Sequence, residues 1–193
     1  SANPEDLGSR LFTHQFEPGS TYKPVTAATI IEEGKATPTS PIISAAGREE
    51  LNGITINDVF PHDAFQYTLA GALVDSSNVA LSKFGDLVTE DVRAEYLKKF
   101  GVGQGTAINF PGEAQGIINP TPWDPASHWT STFGQSFTVT VPQVASVYQT
   151  LANGGLQLPL RLIESCTTAD GEVIEPELPE PVQVVSEKTA DQV

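Results

Sequence analysis

A hydroxyl and an amine three residues apart open the chemistry of this chain: Ser20-Thr21-Tyr22-Lys23. At a helix start the two side chains share one face and come within reach of each other. A serine is a weak nucleophile until a base takes its proton. A lysine can be that base once burial and the positive end of the helix lower its pKa, and backbone N–H groups at the same end can stabilise an oxyanion. Taken alone the pair is equally an N-cap serine followed by a surface lysine, and Ser-x-x-Lys arises by chance about once in a chain of this length. The surroundings shift the balance, because Pro18-Gly19 turns the chain sharply before Ser20 and Pro24 strains it just after. Two further groups could line a cleft with it. Ser76-Ser77-Asn78 places a hydroxyl and a carboxamide two residues apart in a break between apolar runs, although Ser-x-Asn is a common helix break and Ser1-Ala2-Asn3 matches it too. Gly134-Gln135 precedes Thr138-Val139-Thr140 and can line a groove or be an ordinary loop.

These residues need elements to hold them. The stretch Ser1 to Gly19 reads as loop. Ser20 can cap a helix to about Glu33, with Val25, Ala28 and Ile30 or Ile31 on one face and Gly34 as its stop. Pro24 disfavours helical geometry at Lys23, a local conflict of the kind that gathers at functional sites. Lys35 to Phe60 is extended or irregular, with Ile54 and Ile56 alternating. Ala64 to Asp75 is a helix candidate, Val79 to Val88 resumes the helical pattern, and Thr89 caps a third helix ending at Gly101. Gly103 to Trp129 is connecting structure. Thr140-Val-Pro-Gln143 is a capping box ahead of a helix stopped by Asn153-Gly154-Gly155. Leu156, Leu158, Leu160 and Leu162 alternate as a half-buried strand, which Asp170-Gly171 can turn back into Glu172-Val173-Ile174. Glu175 to Pro181 is a surface connection, and Ser186 caps a last helix. Helices first, a late strand pair and no βαβ alternation make the class α+β, with strands that call for more sheet than the chain holds.

The composition narrows the function. Ten Lys plus Arg against 24 Asp plus Glu leave a formal net charge of −14, which argues against nucleic acid and against docking on an anionic membrane. One cysteine, Cys166, excludes an internal disulfide; it has no basic partner in sequence and reads as a passive strand or turn residue. His14, His62 and His128 lack metal-ligand spacing, His62-Asp63 after Pro61 reads as a turn, and no metal or cofactor is expected. Gly-x-Ser-x-Gly does not occur, and Gly101-x-Gly103-x-Gly105 has neither a lysine nor a βαβ frame. The chain has no methionine, so residue 1 is not a translation start and a longer parent is expected. The lack of a signal or bilayer-spanning run here then says nothing about where that parent lives.

Phe16-Glu17-Pro18-Gly19-Ser20-Thr21-Tyr22-Lys23-Pro24 resembles the active-site serine segment of penicillin-binding proteins, especially the monofunctional class B transpeptidases. Four further stretches resemble the class B pattern in order: Asp75 to Ala80; Phe100-Gly101-Val102-Gly103 running to Phe110-Pro111-Gly112-Glu113; Phe133-Gly134-Gln135; and Val141-Pro142-Gln143 to Gly155. The resemblance spans nearly the whole chain. Tyr22 departs from it, standing where Met or Phe is more usual, and the Lys-Thr-Gly motif is absent. Lys188-Thr189-Ala190 imitates that motif but follows a helix cap, so Lys188 reads as a solvated helix residue.

The resemblance implies a penicillin-binding-protein or serine β-lactamase-like fold, present in part. Residues 1–193 would be a partial transpeptidase domain, truncated at both ends and lacking the Lys-Thr-Gly strand. Ser20 would attack the penultimate D-Ala carbonyl of a peptidoglycan stem peptide, with Lys23 as general base. Ser76 would relay a proton to the leaving D-Ala, Asn78 would bind substrate and orient Lys23, and Gly134 and Gln135 would contact substrate. β-Lactams would acylate Ser20. Other partners would be the remainder of the polypeptide and proteins of cell division or elongation. The parent would sit on the extracytoplasmic face of the bacterial membrane, held by a transmembrane segment outside this chain. A D,D-carboxypeptidase or a serine β-lactamase is the enzymatic alternative, and a non-catalytic penicillin-binding sensor or scaffold is the alternative of another class. The chain by itself is expected to be inactive.

Overall fold

A computed structural model describes residues 8–193. The expected loop at Ser1 to Leu7 and the Ser1-Ala2-Asn3 match lie outside the described residues. After a one-turn helix α1 (Arg10–Thr13), a 3₁₀ turn (Gly19–Tyr22) runs straight into α2 (Lys23–Glu32). Strands β1 (Ile43–Ala45), β2 (Arg48–Leu51), β3 (Ile54–Asn57) and β4 (Phe65–Tyr67) follow, then α3 (Leu69–Val74), α4 (Asn78–Gly85) and α5 (Glu90–Lys99). The chain continues through β5 (Ile117–Ile118), α6 (Pro125–Thr130), a 3₁₀ turn (Ser131–Phe133), β6 (Phe137–Thr138) and α7 (Val141–Ala152). It ends with β7 (Leu156–Gln157), β8 (Cys166–Thr167), β9 (Val173–Ile174), β10 (Val182–Gln183) and α8 (Glu187–Gln192).

The class is α+β, as expected, but the strands are not gathered late. Among the described residues they form five separate antiparallel ribbons: β1 with β4, β2 with β3, β5 with β6, β7 with β10, and β8 with β9. The β2–β3 hairpin turns on Asn52-Gly53, both at positive φ (49° and 83°), as the tightest hairpin turns require.

Helix α2 differs most from its expected role. Its apolar residues do not share one face. Ala27 and Ile30 pack with Leu69, Ala72, Val79, Phe84 and Trp129 on one side. Tyr22, Val25 and Ala28 pack with Leu97, Phe100, Val139 and Val147 on the other. Every residue from Val25 to Ile30 is buried, so α2 is a central helix between two half-cores, not an amphipathic surface helix.

Three boundaries move. The helix expected from Ala64 begins at Leu69, because Phe65–Tyr67 pairs with Ile43–Ala45 and Thr68 then caps α3 by accepting from the Gly71 N–H at 3.0 Å. The leucine alternation yields only a two-residue strand: Pro159 cannot donate to a ladder, and Leu162 is 63% exposed. Gly171 does turn a hairpin into Val173–Ile174, but its partner strand is Cys166–Thr167. The capping box at Thr140 and Gln143, the Thr89 cap of α5 and the Ser186 cap of α8 stand as read. Gln143 is fully buried, and its Nε2 donates to the carbonyls of Gly101, Gln104 and Gln115 at 2.7–2.8 Å, tying the long connection to α7.

Tyr22 is 1% exposed, rests edge-on against Phe137 at 5.3 Å, and its hydroxyl finds no hydrogen-bond partner among the described residues. Burial pushes its pKa well above the ordinary tyrosine value. An unpaired buried hydroxyl costs about 1–3 kcal/mol. Tyr22→Phe should therefore stabilise the fold by about 1 kcal/mol, read as a higher denaturant midpoint at unchanged slope.

Candidate active site

The turn that carries Ser20 is held from several directions. Gly19 sits at φ +57°, and its N–H donates to the Gly134 carbonyl at 2.7 Å. Gly134 is itself at φ +86°, so close that a Cβ there would fall 2.0 Å from the Gly19 oxygen. Glu17 accepts the Ser136 N–H at 2.8 Å, Thr21 Oγ1 donates to the Pro18 carbonyl at 2.8 Å, and the Tyr148 hydroxyl donates to the Thr21 carbonyl at 2.9 Å. Ser20 is exposed within this clamp and lies inside the 3₁₀ turn; it does not cap α2 with its side chain.

Lys23 is the first residue of α2, at φ −56° and ψ −35° although Pro24 follows it. The expected conflict is therefore absorbed in the helix's first turn. The whole lysine is 2% exposed. Its Nζ donates to Ser76 Oγ at 2.9 Å and to the Ser76 carbonyl. Burial lowers its pKa from 10.5 to about 8, and the charge of Asp58 opposes that fall. Ser76 Oγ in turn donates to Ser20 Oγ at 3.2 Å. A continuous chain of polar atoms thus runs from Ser20 through Ser76 to Lys23.

Ser76 stands between α3 and α4 at φ +53°, a left-handed conformation that non-glycine residues seldom take. That conformation lets both its oxygens meet one ammonium. Ser77 caps α4 by accepting from the Ala80 N–H at 3.0 Å. Asn78 begins α4 on the same loop, and its Nδ2 donates to the Asn57 carbonyl at 2.9 Å. The expected contact of Asn78 with Lys23 is not among the hydrogen bonds of the described residues; the lysine turns to Ser76.

Ser20, Lys23 and Ser76 are thus brought together, with Asn78 two residues along. Gly134 and Gln135 part company. Gly134 is buried against the Ser20 turn, where its lack of a side chain allows the approach, while Gln135 is exposed beside it. Lys188 is exposed on α8, away from this site, and the adjoining Thr189 binds Glu32.

Asp58, just after β3, escapes sequence reading. Its side chain is 6% exposed and accepts from Ser77 Oγ at 2.6 Å, from the Val79 N–H at 2.9 Å and from His62 Nε2 at 3.0 Å. His62 was expected to be only a turn residue. The spacing of Asp58 and His62 was the available signal, but four residues apart in irregular chain it carries little weight. Among the described residues no cluster of His, Cys, Asp and Glu could hold a metal, and no helix is long and apolar enough to cross a membrane.

The penicillin binding protein transpeptidase domain family matches residues 1–193. The chain belongs to that family. Among curated relatives it is 37% identical over 185 residues to penicillin-binding protein PbpB of Mycolicibacterium smegmatis, covering 95% of this chain and 28% of that protein. It is 32% identical over 174 residues to peptidoglycan D,D-transpeptidase FtsI of Escherichia coli, covering 90% of this chain and 29% of that protein. The chain therefore spans under a third of these relatives. Among solved structures it superposes with a TM-score of 0.93 and 34% identity on a peptidoglycan synthetase from Bifidobacterium adolescentis, covering all of this chain and 35% of that one. It superposes with a TM-score of 0.90 and 33% identity on penicillin binding protein 3 from Mycobacterium tuberculosis complexed with aztreonam, covering 96% and 42% respectively. The class B resemblance and the penicillin-binding-protein fold read from the motifs both hold.

The Gly19–Gly134 contact makes a direct prediction. Gly134→Ala would have to move the Gly19 oxygen by about 1 Å and adopt a left-handed angle costing about 1–2 kcal/mol. The variant should lose at least that much stability in denaturant titration.

Proposed function

We propose that this chain forms part of a peptidoglycan D,D-transpeptidase that cross-links stem peptides through a serine acyl-enzyme. One observation carries the reading: a buried lysine reaches Ser76 Oγ at 2.9 Å, and that hydroxyl reaches Ser20 Oγ at 3.2 Å. Ser20 Oγ attacks the penultimate D-Ala carbonyl, and its proton passes through the Ser76 hydroxyl to neutral Lys23. The Ser20 N–H, which has no hydrogen-bond acceptor among the described residues, serves as one half of an oxyanion hole. Collapse of the tetrahedral intermediate breaks the amide bond, and Ser76 returns the proton to the departing D-Ala amine. An amine of a neighbouring stem peptide then takes the acyl group and frees Ser20. Asn78, its amide nitrogen fixed by Asn57, holds the substrate backbone. Gln135, exposed beside Gly134, contacts substrate on this proposal.

The other half of the oxyanion hole and the site for the substrate carboxylate belong, on this proposal, to a Lys-Thr-Gly segment outside residues 1–193. The 193 residues alone are therefore expected to be inactive. β-Lactams acylate Ser20 as substrate mimics; a relative's structure with aztreonam supports that reading. Transpeptidation of peptidoglycan places the site on the extracytoplasmic side of the membrane, where its substrate is.

Intact-mass measurement after incubation with excess penicillin tests the nucleophile. The full-length natural protein should gain one penicillin mass and Ser20→Ala none. A folded parent that gains no adduct would sink the acyl-transfer reading, and rapid turnover of the adduct would move it to a β-lactamase. The base makes a second prediction. Lys23 must be neutral to accept a proton, and burial brings its pKa to about 8. The second-order acylation rate should therefore rise with pH along a limb centred near 8 and level off above it. A profile flat from pH 6 to 9 would exclude Lys23 as the base.

A further inference from the structure

We infer that Asp58 is a positioning residue for the acyl-transfer site: its carboxylate pins the start of α4, and so holds both Ser76 oxygens on the Lys23 ammonium. The inference rests on Ser20 and Lys23 being nucleophile and base, and deepens that reading.

The geometry is specific. Ser76 is fixed from behind by α3, because the Ser76 N–H donates to the Leu73 carbonyl at 3.1 Å and the Ser77 N–H to the Ala72 carbonyl at 3.0 Å. From ahead it is fixed by one corner of the chain, Asn57-Asp58. Asp58 Oδ2 takes the Ser77 hydroxyl and Asp58 Oδ1 takes the Val79 N–H, while the Asn57 carbonyl takes Asn78 Nδ2. Three consecutive residues after Ser76 are thus held by two residues at the end of β3. The corner itself is anchored by the Asp58 N–H on the Gly47 carbonyl at 2.8 Å. A left-handed serine relaxes unless its neighbours forbid it, and here both flanks do. The carboxylate also faces the N–H groups at the start of α4, where negative charge is favoured.

The same carboxylate carries the charge that Lys23 feels: Asp58 is the group whose field opposes the burial-driven fall of the lysine's pKa. His62 faces Asp58 from the other side. Its Nε2 lies 3.0 Å from Asp58 Oδ2 and its Nδ1 2.7 Å from the Asp63 carbonyl. Both partners are acceptors, an arrangement that favours the protonated ring. Those bonds, the Asp63 carbonyl first, raise the His62 pKa, with smaller help from the charges of Asp58 and Asp75. Arg48 lines the same surface hollow as Asp58 and His62. Asp58 thus lies between Lys23 on the inner side and His62 and Arg48 at the surface.

The test is the pH profile of penicillin acylation in the full-length natural protein, for the parent sequence, Asp58→Asn and Ser77→Ala. Asp58→Asn loses the anchor and the charge. Its rate on the plateau should fall at least tenfold, and its limb should move to lower pH, because Lys23 loses the anion that favours its protonated form. Ser77→Ala loses one anchor and keeps the charge, so its rate should fall severalfold with the limb unmoved. A merely structural role would slow both variants and move neither limb. Asp58→Asn acylating within twofold of the parent, or slowing with its limb unmoved, overturns the inference. If Asp58→Asn does not fold, Ser77→Ala decides: a parental rate overturns it. A parent that is itself unacylated overturns the underlying reading of Ser20, a result distinct from any of these.

Discussion

An ammonium group enclosed by protein must be met by oxygen atoms or surrender its proton, and Lys23 sets this constraint for the whole molecule. Moving its pKa from 10.5 to about 8 corresponds to roughly 3 kcal/mol of unfavourable burial, at about 1.4 kcal/mol per unit. The cost is full below pH 8, where both folded and unfolded chains hold the proton, and it fades between pH 8 and 10.5. Neutral pH is therefore where the core must outweigh it. It does so because α2 is enclosed on both sides, with Ala27 and Ile30 in one half-core and Val25 and Ala28 in the other. Lys23 stands at the mouth of that helix, and its Nζ reaches the break between α3 and α4.

Different contacts have different work. The Gly19–Gly134 approach is a matter of volume: two backbones touch where no side chain fits, and the Ser20 turn is thereby fixed against the segment before β6. The Asp58 contacts are a matter of charge and direction, fixing the loop that faces that turn. Ser20 and Ser76, the proposed nucleophile and relay, thus sit on separate pieces of chain, 56 residues apart, that meet at one 3.2 Å contact. Neither piece has a site without the other.

Much of this was legible in the sequence. Ser20, Lys23 and Ser76 are weak signals by type and spacing and stand out through the ordered family motifs, and local capping chemistry places α5, α7 and α8 because Thr89, Thr140 and Ser186 act on their own helices. What depends on distant partners was hidden. The two-sided burial of α2 has no amphipathic stripe to reveal it. The local pattern at β4 reads as helix because its partner β1 lies about 22 residues upstream (Tyr67 against Ile43 to Phe65 against Ala45). That Gly134 touches the Gly19 backbone is likewise not readable from one sequence. Asp58 was one of 24 scattered acids until the fold set Ser77, Val79 and His62 around it. The Asn52-Gly53 hairpin is the exception, because its turn signal is local.

The left-handed angle at Ser76 says something about worth. Glycine would adopt φ +53° freely, and serine does so at a cost of about 1–2 kcal/mol. The only thing serine brings that glycine lacks is its CH₂OH group. Keeping it there is sensible only if the hydroxyl returns at least as much, and 1.4 kcal/mol is about a tenfold change in a rate. The backbone angle therefore sets a floor under the value of one oxygen atom, readable before any substrate is bound. Among the described residues four non-glycine residues have positive φ, and two of them are asparagines, which tolerate it. The other two, Ser76 and Ser136, lie on the two pieces of chain that enclose Ser20, so backbone strain gathers around the proposed nucleophile.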